Sequence, residues 1–196
     1  MHLSDDTYAA FLNGTARDLA ETLGAFPAPG GTRFAVWAPH ATSVTVVLGD
    51  EASHPLRIPT TPVRESGVWS VDGVDAPAGT RYRFAITGAD GETRLKADPM
   101  AREAAPRPSD CSVVTVPAHR WSDDRWLAAR ARSDPRREPL SVYEVHLGTW
   151  RWDPREPGRE RPYTELAPML ADHAERRGVT HVELMPLAAH PFPGSW

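Results

Sequence analysis

Residues 32–38, Thr-Arg-Phe-Ala-Val-Trp-Ala, are β-branched and aromatic, and Pro39 follows them. Such a run reads as a strand, and a proline, which cannot donate to a ladder, closes it. Outward from this stretch the texture repeats. Residues 43–48, Ser-Val-Thr-Val-Val-Leu, end at Gly49-Asp50, and Gly67-Val-Trp-Ser-Val71 forms a third run. Residues 80–86, Thr-Arg-Tyr-Arg-Phe-Ala-Ile, alternate polar and apolar ahead of Asp90-Gly91, a tight-turn signal. Cys111-Ser-Val-Val-Thr-Val116 closes the series before Pro117. Short strands punctuated by Gly and Pro predict an all-β sandwich over 30–118.

Upstream, residues 1–29 read as a helical lead. Tyr8, Phe11, Leu12, Leu19 and Leu23 supply its apolar positions, and Gly24 stands where a helix would stop. Downstream, 119–139 is a polar, Arg-rich connection with Trp121 and Trp126, expected to pack to some extent on itself.

The texture changes again over 140–196. Leu140-Ser-Val-Tyr-Glu-Val-His-Leu147 is a mostly apolar strand ended by Gly148, and a polar Arg/Pro/Gly loop spans about 151–162. Leu166, Ala167, Leu170, Ala171 and Ala174 then recur at helical spacing. Arg176 and Arg177 complement the helix dipole, and Gly178 suits a left-handed cap. Pro168 is expected near the helix start, where its missing N–H has no intrahelical partner. Residues 180–185, Thr-His-Val-Glu-Leu-Met, form a second strand before Pro186. Strand, helix, strand predicts a βαβ unit with parallel pairing. One helix cannot cover both faces of a parallel sheet, so this segment is expected to be the start of a larger domain.

Composition narrows the function. The chain of 196 residues is 40% apolar and 24% charged with a net charge of −4, which gives no basic field for nucleic acid. With 20 prolines, about twice the usual ~5%, it is no helical bundle. A single Cys111 permits no internal disulfide and reads as a small core residue. Lys96 is the one lysine among 22 basic residues, a mark of genomic base composition. Neither a secretory signal nor a run of ~20 apolar residues is present, so a cytoplasmic location without membrane contact is expected. No HExxH pair, Walker loop or dinucleotide fingerprint occurs, and Ser195 lacks a nucleophile elbow; no metal or cofactor is expected.

Glu144 and Glu183 fall in the two neighbouring strands and invite comparison with the carboxylate pair of a retaining glycosidase. Barrel chemistry sits at the C-terminal strand ends, however, and strand residues follow both, so a structural role is favoured. His190 and Trp196 lie in the loop after the second strand, where a histidine can hydrogen-bond and a tryptophan stack on a sugar; packing of the loop is the competing reading. Trp37 and Trp69, flanked by apolar neighbours within strands, are expected in the core.

In several blocks the chain resembles a known family. Ser141-Val-Tyr-Glu-Val-His-Leu-Gly-Thr-Trp150, Tyr163-Thr-Glu-Leu-Ala167, Gly178-Val-Thr-His-Val-Glu-Leu-Met-Pro186, His190-Pro-Phe192 and Gly194-Ser-Trp196 are similar to the opening of the barrel in glycogen (1,4-α-glucan) branching enzymes. Gly31-Thr-Arg-Phe-Ala-Val-Trp-Ala-Pro39 and Lys96-Ala-Asp-Pro99 resemble the family's immunoglobulin-like sandwich, a family-48 carbohydrate-binding module. Asn13-Gly-Thr15 and Leu23-Gly-Ala25 resemble its lead. The resemblance implies a (β/α)₈ barrel of the α-amylase superfamily and a retaining mechanism on α-1,4-glucan or glycogen. An aspartate nucleophile, a glutamate acid/base and a second aspartate would lie on later strands. Residues 1–196 alone are therefore expected to be inactive, with the sandwich packed on its own barrel. Two departures stand out: Gly49-Asp-Glu-Ala-Ser-His54 replaces a Phe-Asn-x-Trp loop, and Ala189 and Pro193 replace other residue types. The rival readings are another α-amylase-family enzyme, trehalose-forming or debranching, and a non-catalytic glucan-binding module.

Overall fold

The computed structural model describes residues 4–49, 55–106, 108–153, 155–156, 158–159 and 161–187. The chain divides into two units, Met1–His119 and Arg120–Trp196.

The first unit opens with helix α1 (Asp5–Leu12), capped by the Ser4 hydroxyl on the Thr7 N–H, and a single turn α2 (Leu19–Thr22). Among the described residues nine strands come next in chain order. They are β1 (Gly24–Ala28), β2 (Gly31–Trp37), β3 (Ser43–Leu48), β4 (Leu56–Pro59), β5 (Thr61–Pro62), β6 (Val68–Val74), β7 (Arg81–Thr87), β8 (Thr93–Lys96) and β9 (Ser112–Val113). One antiparallel sheet runs β1-β2-β6-β5 and the other β4-β3-β7-β8, with β9 also on β7. The two share a core built from Phe34, Val36, Val44, Val46, Tyr82 and Phe84. Phe34 meets Tyr82 edge-on at 4.9 Å. The all-β sandwich expected from the strand pattern is the observed fold.

The helical lead is shorter than expected. Residues Gly24–Ala28 extend and pair with β2 from Gly24↔Ala35 to Ala28↔Gly31. Pro27 can lie there because an outer strand leaves one edge without a partner, where no donor is needed. Pro29-Gly30 makes the reversal, with Gly30 at φ +96°. A Cβ on Gly31 would come within 2.6 Å of the Gly73 backbone, a close approach that only glycine allows. Besides β1, three strands escape the sequence pattern: β8, beyond the Asp90-Gly91 turn, and β4 and β5. β4 and β5 are short and proline-bearing, and the chain changes sheet between them at Thr60, whose buried hydroxyl and N–H both donate to the Val44 carbonyl.

The lead forms a third layer. Tyr8 and Phe11 pack with Leu23, Ala35, Val63 and Val68 on the outer face of β2 and β6. β2 is thereby buried on both faces, which accounts for its continuous Phe-Ala-Val run. Trp37 is the exception. It is 55% exposed, not a core residue, because it sits at the strand end, where its indole N–H donates to the Ser66 carbonyl. Trp69 is half-buried against the core as expected, its N–H donating to the Ala38 carbonyl. Cys111 is buried beside Ala105 and Val113.

The second unit begins with helix α3 (Asp124–Arg130), which buries no residue. Trp121 and Trp126 stand exposed, and the Arg130 guanidinium lies 5.3 Å from the Trp126 ring centre. Strand β10 (Val142–Val145), helix α4 (Tyr163–Arg177) and strand β11 (His181–Leu184) follow among the described residues. The strands pair in parallel from Val142↔His181 to Val145↔Leu184. Leu166 and Leu170 of α4 bury against Val145 and Leu147. Gly178 caps the helix at φ 66°, ψ 24°. Pro168 does not sit in the first turn: the helix starts at Tyr163, so the proline leaves the Thr164 carbonyl without its i+4 donor. Among the described residues the sheet ends at these two strands, and all of β11 is exposed. No helix among the described residues is long and apolar enough to cross a membrane.

Candidate carbohydrate-binding site

The Lys96-Ala-Asp-Pro99 segment places Asp98 inside the sandwich, where its role is structural. The Tyr82 hydroxyl donates to Asp98 Oδ2 at 2.6 Å and the Met100 N–H to Oδ1 at 2.8 Å. The Asp98 N–H in turn donates to the Ser112 hydroxyl. Burial pushes the Asp98 carboxyl above its ordinary range, although the Tyr82 and Met100 hydrogen bonds pull the other way. Burial, and then the Asp98 charge, hold the Tyr82 phenol neutral well beyond its ordinary range.

Glu144 and Glu183 are register partners on adjacent parallel strands, and both are exposed. The pairing puts the two carboxylates on one face of the sheet. Chemistry-bearing groups gather past the end of β10 instead. His146 begins a helical turn in which the Thr149 and Trp150 N–H groups donate to its carbonyl, and its Nδ1 lies 3.0 Å from the Thr149 hydroxyl. Trp150 donates its indole N–H to the Tyr143 hydroxyl at 3.1 Å. The His173 ring of α4 lies against both aromatic rings. Arg151 then takes a left-handed φ of 59°, redirecting the chain.

Charged pairs hold the loop between Arg151 and α4. Asp153 accepts from the Arg155 backbone N–H and guanidinium, which hold its carboxyl below the usual range. Arg159 bridges Glu156 and Glu165, and Arg161 bonds Glu165 and lies 3.7 Å from Asp153. The Arg161 Nε donates to the Arg151 carbonyl. Between these groups lies a cavity of about 230 Å³ whose walls include His146, Trp150, Trp152, Arg159, Arg161 and Tyr163. In the first unit, Phe11, Ala16, Leu19, Leu23 and Trp37 line a second cavity of about 210 Å³, almost wholly apolar.

The residues singled out from sequence, His190 and Trp196, lie outside the described residues, as do Asp50–His54, Ala189, Pro193 and Ser195. Sequence reasoning treats 151–162 as a plain polar loop and misses Trp152, Arg159 and Arg161, while Tyr163 enters it only as part of the Tyr163–Ala167 block. The available signal is Trp150-Arg-Trp-Asp153, aromatic and charged residues alternating directly after a strand end. Among the described residues no three His, Cys, Asp or Glu side chains gather as metal ligands would.

Residues 22–101 match carbohydrate-binding module 48, the isoamylase N-terminal domain. The chain is 46% identical over 166 residues to the 1,4-alpha-glucan branching enzyme of Nocardia farcinica, covering 85% of this chain and 21% of that one. It is 41% identical over 204 residues to a branching enzyme of Xanthomonas axonopodis pv. citri, covering 99% and 27%. It thus spans about a fifth to a quarter of the length of the curated relatives it matches. Among solved structures, the maltotriose complex of PulA from Klebsiella pneumoniae is similar at a TM-score of 0.60 and 26% identity, over 93% of this chain and 21% of that one. GBS pullulanase SAP with maltotetraose gives a TM-score of 0.58 at 20% identity over 86% and 24%, a likeness of fold alone. A module-48 match followed by sequence shared with branching enzymes makes this chain similar to a portion of 1,4-alpha-glucan branching enzymes.

Proposed function

We propose that this chain is the amino-terminal part of an enzyme that cleaves an α-1,4-glucan and transfers the released segment to a 6-hydroxyl, forming an α-1,6 branch. The observation that carries the reading is sequence identity of 41% reaching across 99% of the chain to a branching enzyme. In this reading 1–29 is the lead, 30–118 the carbohydrate-binding module, 119–139 the connection and 140–196 the first βαβ unit of a (β/α)₈ barrel. The parallel pairing of β10 and β11 around α4 supports the last assignment.

The chemistry is a retaining double displacement. A carboxylate attacks the anomeric carbon while an acid protonates the departing oxygen; the same group, now a base, takes the proton of the incoming 6-hydroxyl as the ester breaks. These carboxylates belong to later strands, so residues 1–196 alone have no activity. In this reading His190 and Trp196 serve as substrate contacts, one by hydrogen bonding and one by stacking. The sandwich packs on its own barrel, and the enzyme works on glycogen in the cytoplasm.

The structural likeness to pullulanases favours a second reading, a debranching hydrolase. The whole open reading frame containing these residues, expressed and given amylose, separates the two. Branching lowers iodine staining while reducing ends stay constant. Activity that raises reducing ends, or no activity at all, overturns the proposal.

A further inference from the structure

The cavity past β10 has three properties that together select a ligand class. Its aromatic walls include Trp152 and Tyr163, which are 56% and 55% exposed and so present ring surface outward. Trp150, by contrast, is committed, with its N–H on Tyr143 and the Arg151 guanidinium 5.3 Å from its ring centre. The second property is charge. Arg159 and Arg161 would make an anion site if bare, but Glu156 and Glu165 compensate them, while Asp153 is taken mainly by Arg155 and Arg151 also lines the cavity. Each guanidinium carries five N–H donors in a fixed fork, more than these contacts engage. What remains is a set of oriented donors on Arg159 and Arg161 whose own charge is balanced, with the Arg151 guanidinium turned over the Trp150 ring, a set that suits hydroxyls more than phosphates.

Size is the third. At about 230 Å³ the space falls below the ~300–1,000 Å³ that encloses a whole small ligand. It fits one ring of a longer chain. The floor is also fixed in advance, because the Asp153–Arg155 and Glu165–Arg161 contacts set the loop's course before any ligand arrives.

We propose that this cavity is an α-glucan subsite that takes a single glucosyl ring, stacked on Trp152 with Arg159, Arg161 and His146 donating to its hydroxyls. The identity of the ligand rests on the branching-enzyme reading; the shape and donor set do not. Trp152 is a binding residue here, with no part in bond cleavage.

The test uses the chain of residues 1–196 carrying fluorotryptophan, followed by fluorine NMR with each resonance assigned by a Trp→Phe substitution. Added maltoheptaose is expected to shift the Trp152 resonance saturably and leave those of Trp121 and Trp126 in place. Trp152→Ala should weaken binding about 2- to 10-fold, the range of an aromatic contact, and Trp152→Phe should retain most of it. A Trp152 resonance that maltoheptaose does not move, or that inorganic phosphate moves instead, overturns the assignment. The amylose assay on the whole reading frame judges the enzyme reading separately. A branching-active protein with a silent Trp152 removes the subsite alone, and an inactive protein with a responsive Trp152 removes the enzyme reading alone.

Discussion

The Tyr82 hydroxyl lies 2.6 Å from Asp98 Oδ2, and both residues are almost wholly buried in the sandwich. This contact ties β7 to the segment that returns towards β9, because the Asp98 N–H also bonds Ser112. Asp98→Ala would remove the carboxylate acceptor of the buried Tyr82 hydroxyl and of the half-buried Met100 N–H. The expected loss is about 2–3 kcal/mol of unfolding free energy in urea, and Asp98→Asn should lose clearly less.

The same residue gives a pH dependence with a defined sign. Burial raises the Asp98 pKa in the folded state, so the folded chain holds this proton more tightly than the unfolded chain does. Its contribution is fully present below the unfolded value of about 3.9 and is lost as pH rises through the folded value. Relative to Asp98→Asn, the natural chain should therefore lose stability with rising pH across that window. Paired urea titrations at stepped pH measure the difference, and an opposite slope would show that the hydrogen bonds outweigh burial.

Phe11 anchors the lead. It meets Trp37 edge-on at 6.4 Å and packs against the cluster on the outer face of β2. Phe11→Ala should cost about 1–2 kcal/mol, since the ring is only partly buried. Limited proteolysis should then cut within residues 4–18 sooner than in the natural chain.

Pro168 weakens the helix that covers β10. Its side chain is exposed, and it withholds one N–H from the Thr164 carbonyl. Pro168→Ala should stabilise the second unit by about 1–3 kcal/mol. Amide exchange along α4 should slow; faster exchange there would contradict the account.

Gly178 works in the other direction. At φ 66° a Cβ is strained even though nothing lies near it, so Gly178→Ala should destabilise the second unit by about 1 kcal/mol. Gly178→Asn, which tolerates the left-handed region better, should recover part of the loss.

Legibility in the sequence tracks burial and period. Residues 43–48 are readable to the residue, because Val44, Val46 and Leu48 turn into the core while β-branched neighbours fill the run. The helix ending at Arg177 is equally plain from its spacing and its capping glycine. β1, β4 and β5 are not. Each is an outer strand with proline, and their short lengths leave no alternation to count. Trp37 escapes because the strand's apolar run says nothing about exposure at its last position. The cavity residues fall in a stretch without any period. Arg159 and Arg161 reach Glu165 from only six and four residues upstream, but across an irregular loop whose course no sequence period reveals.

The two-stranded parallel sheet has a consequence for the birth of the protein. Among the described residues nothing pairs with the outer sides of β10 and β11, so the backbone there offers donors and acceptors to an extended chain, and Val182, Leu184 and Met185 add apolar surface beside them. Such an edge does not discriminate between a strand of its own molecule and one of a neighbour. Its fate is set by a race. An intramolecular strand arriving first extends the domain, and a second copy arriving first seeds an aggregate. Crowding on a polysome, where nascent copies stand side by side, shortens the time available to the productive partner.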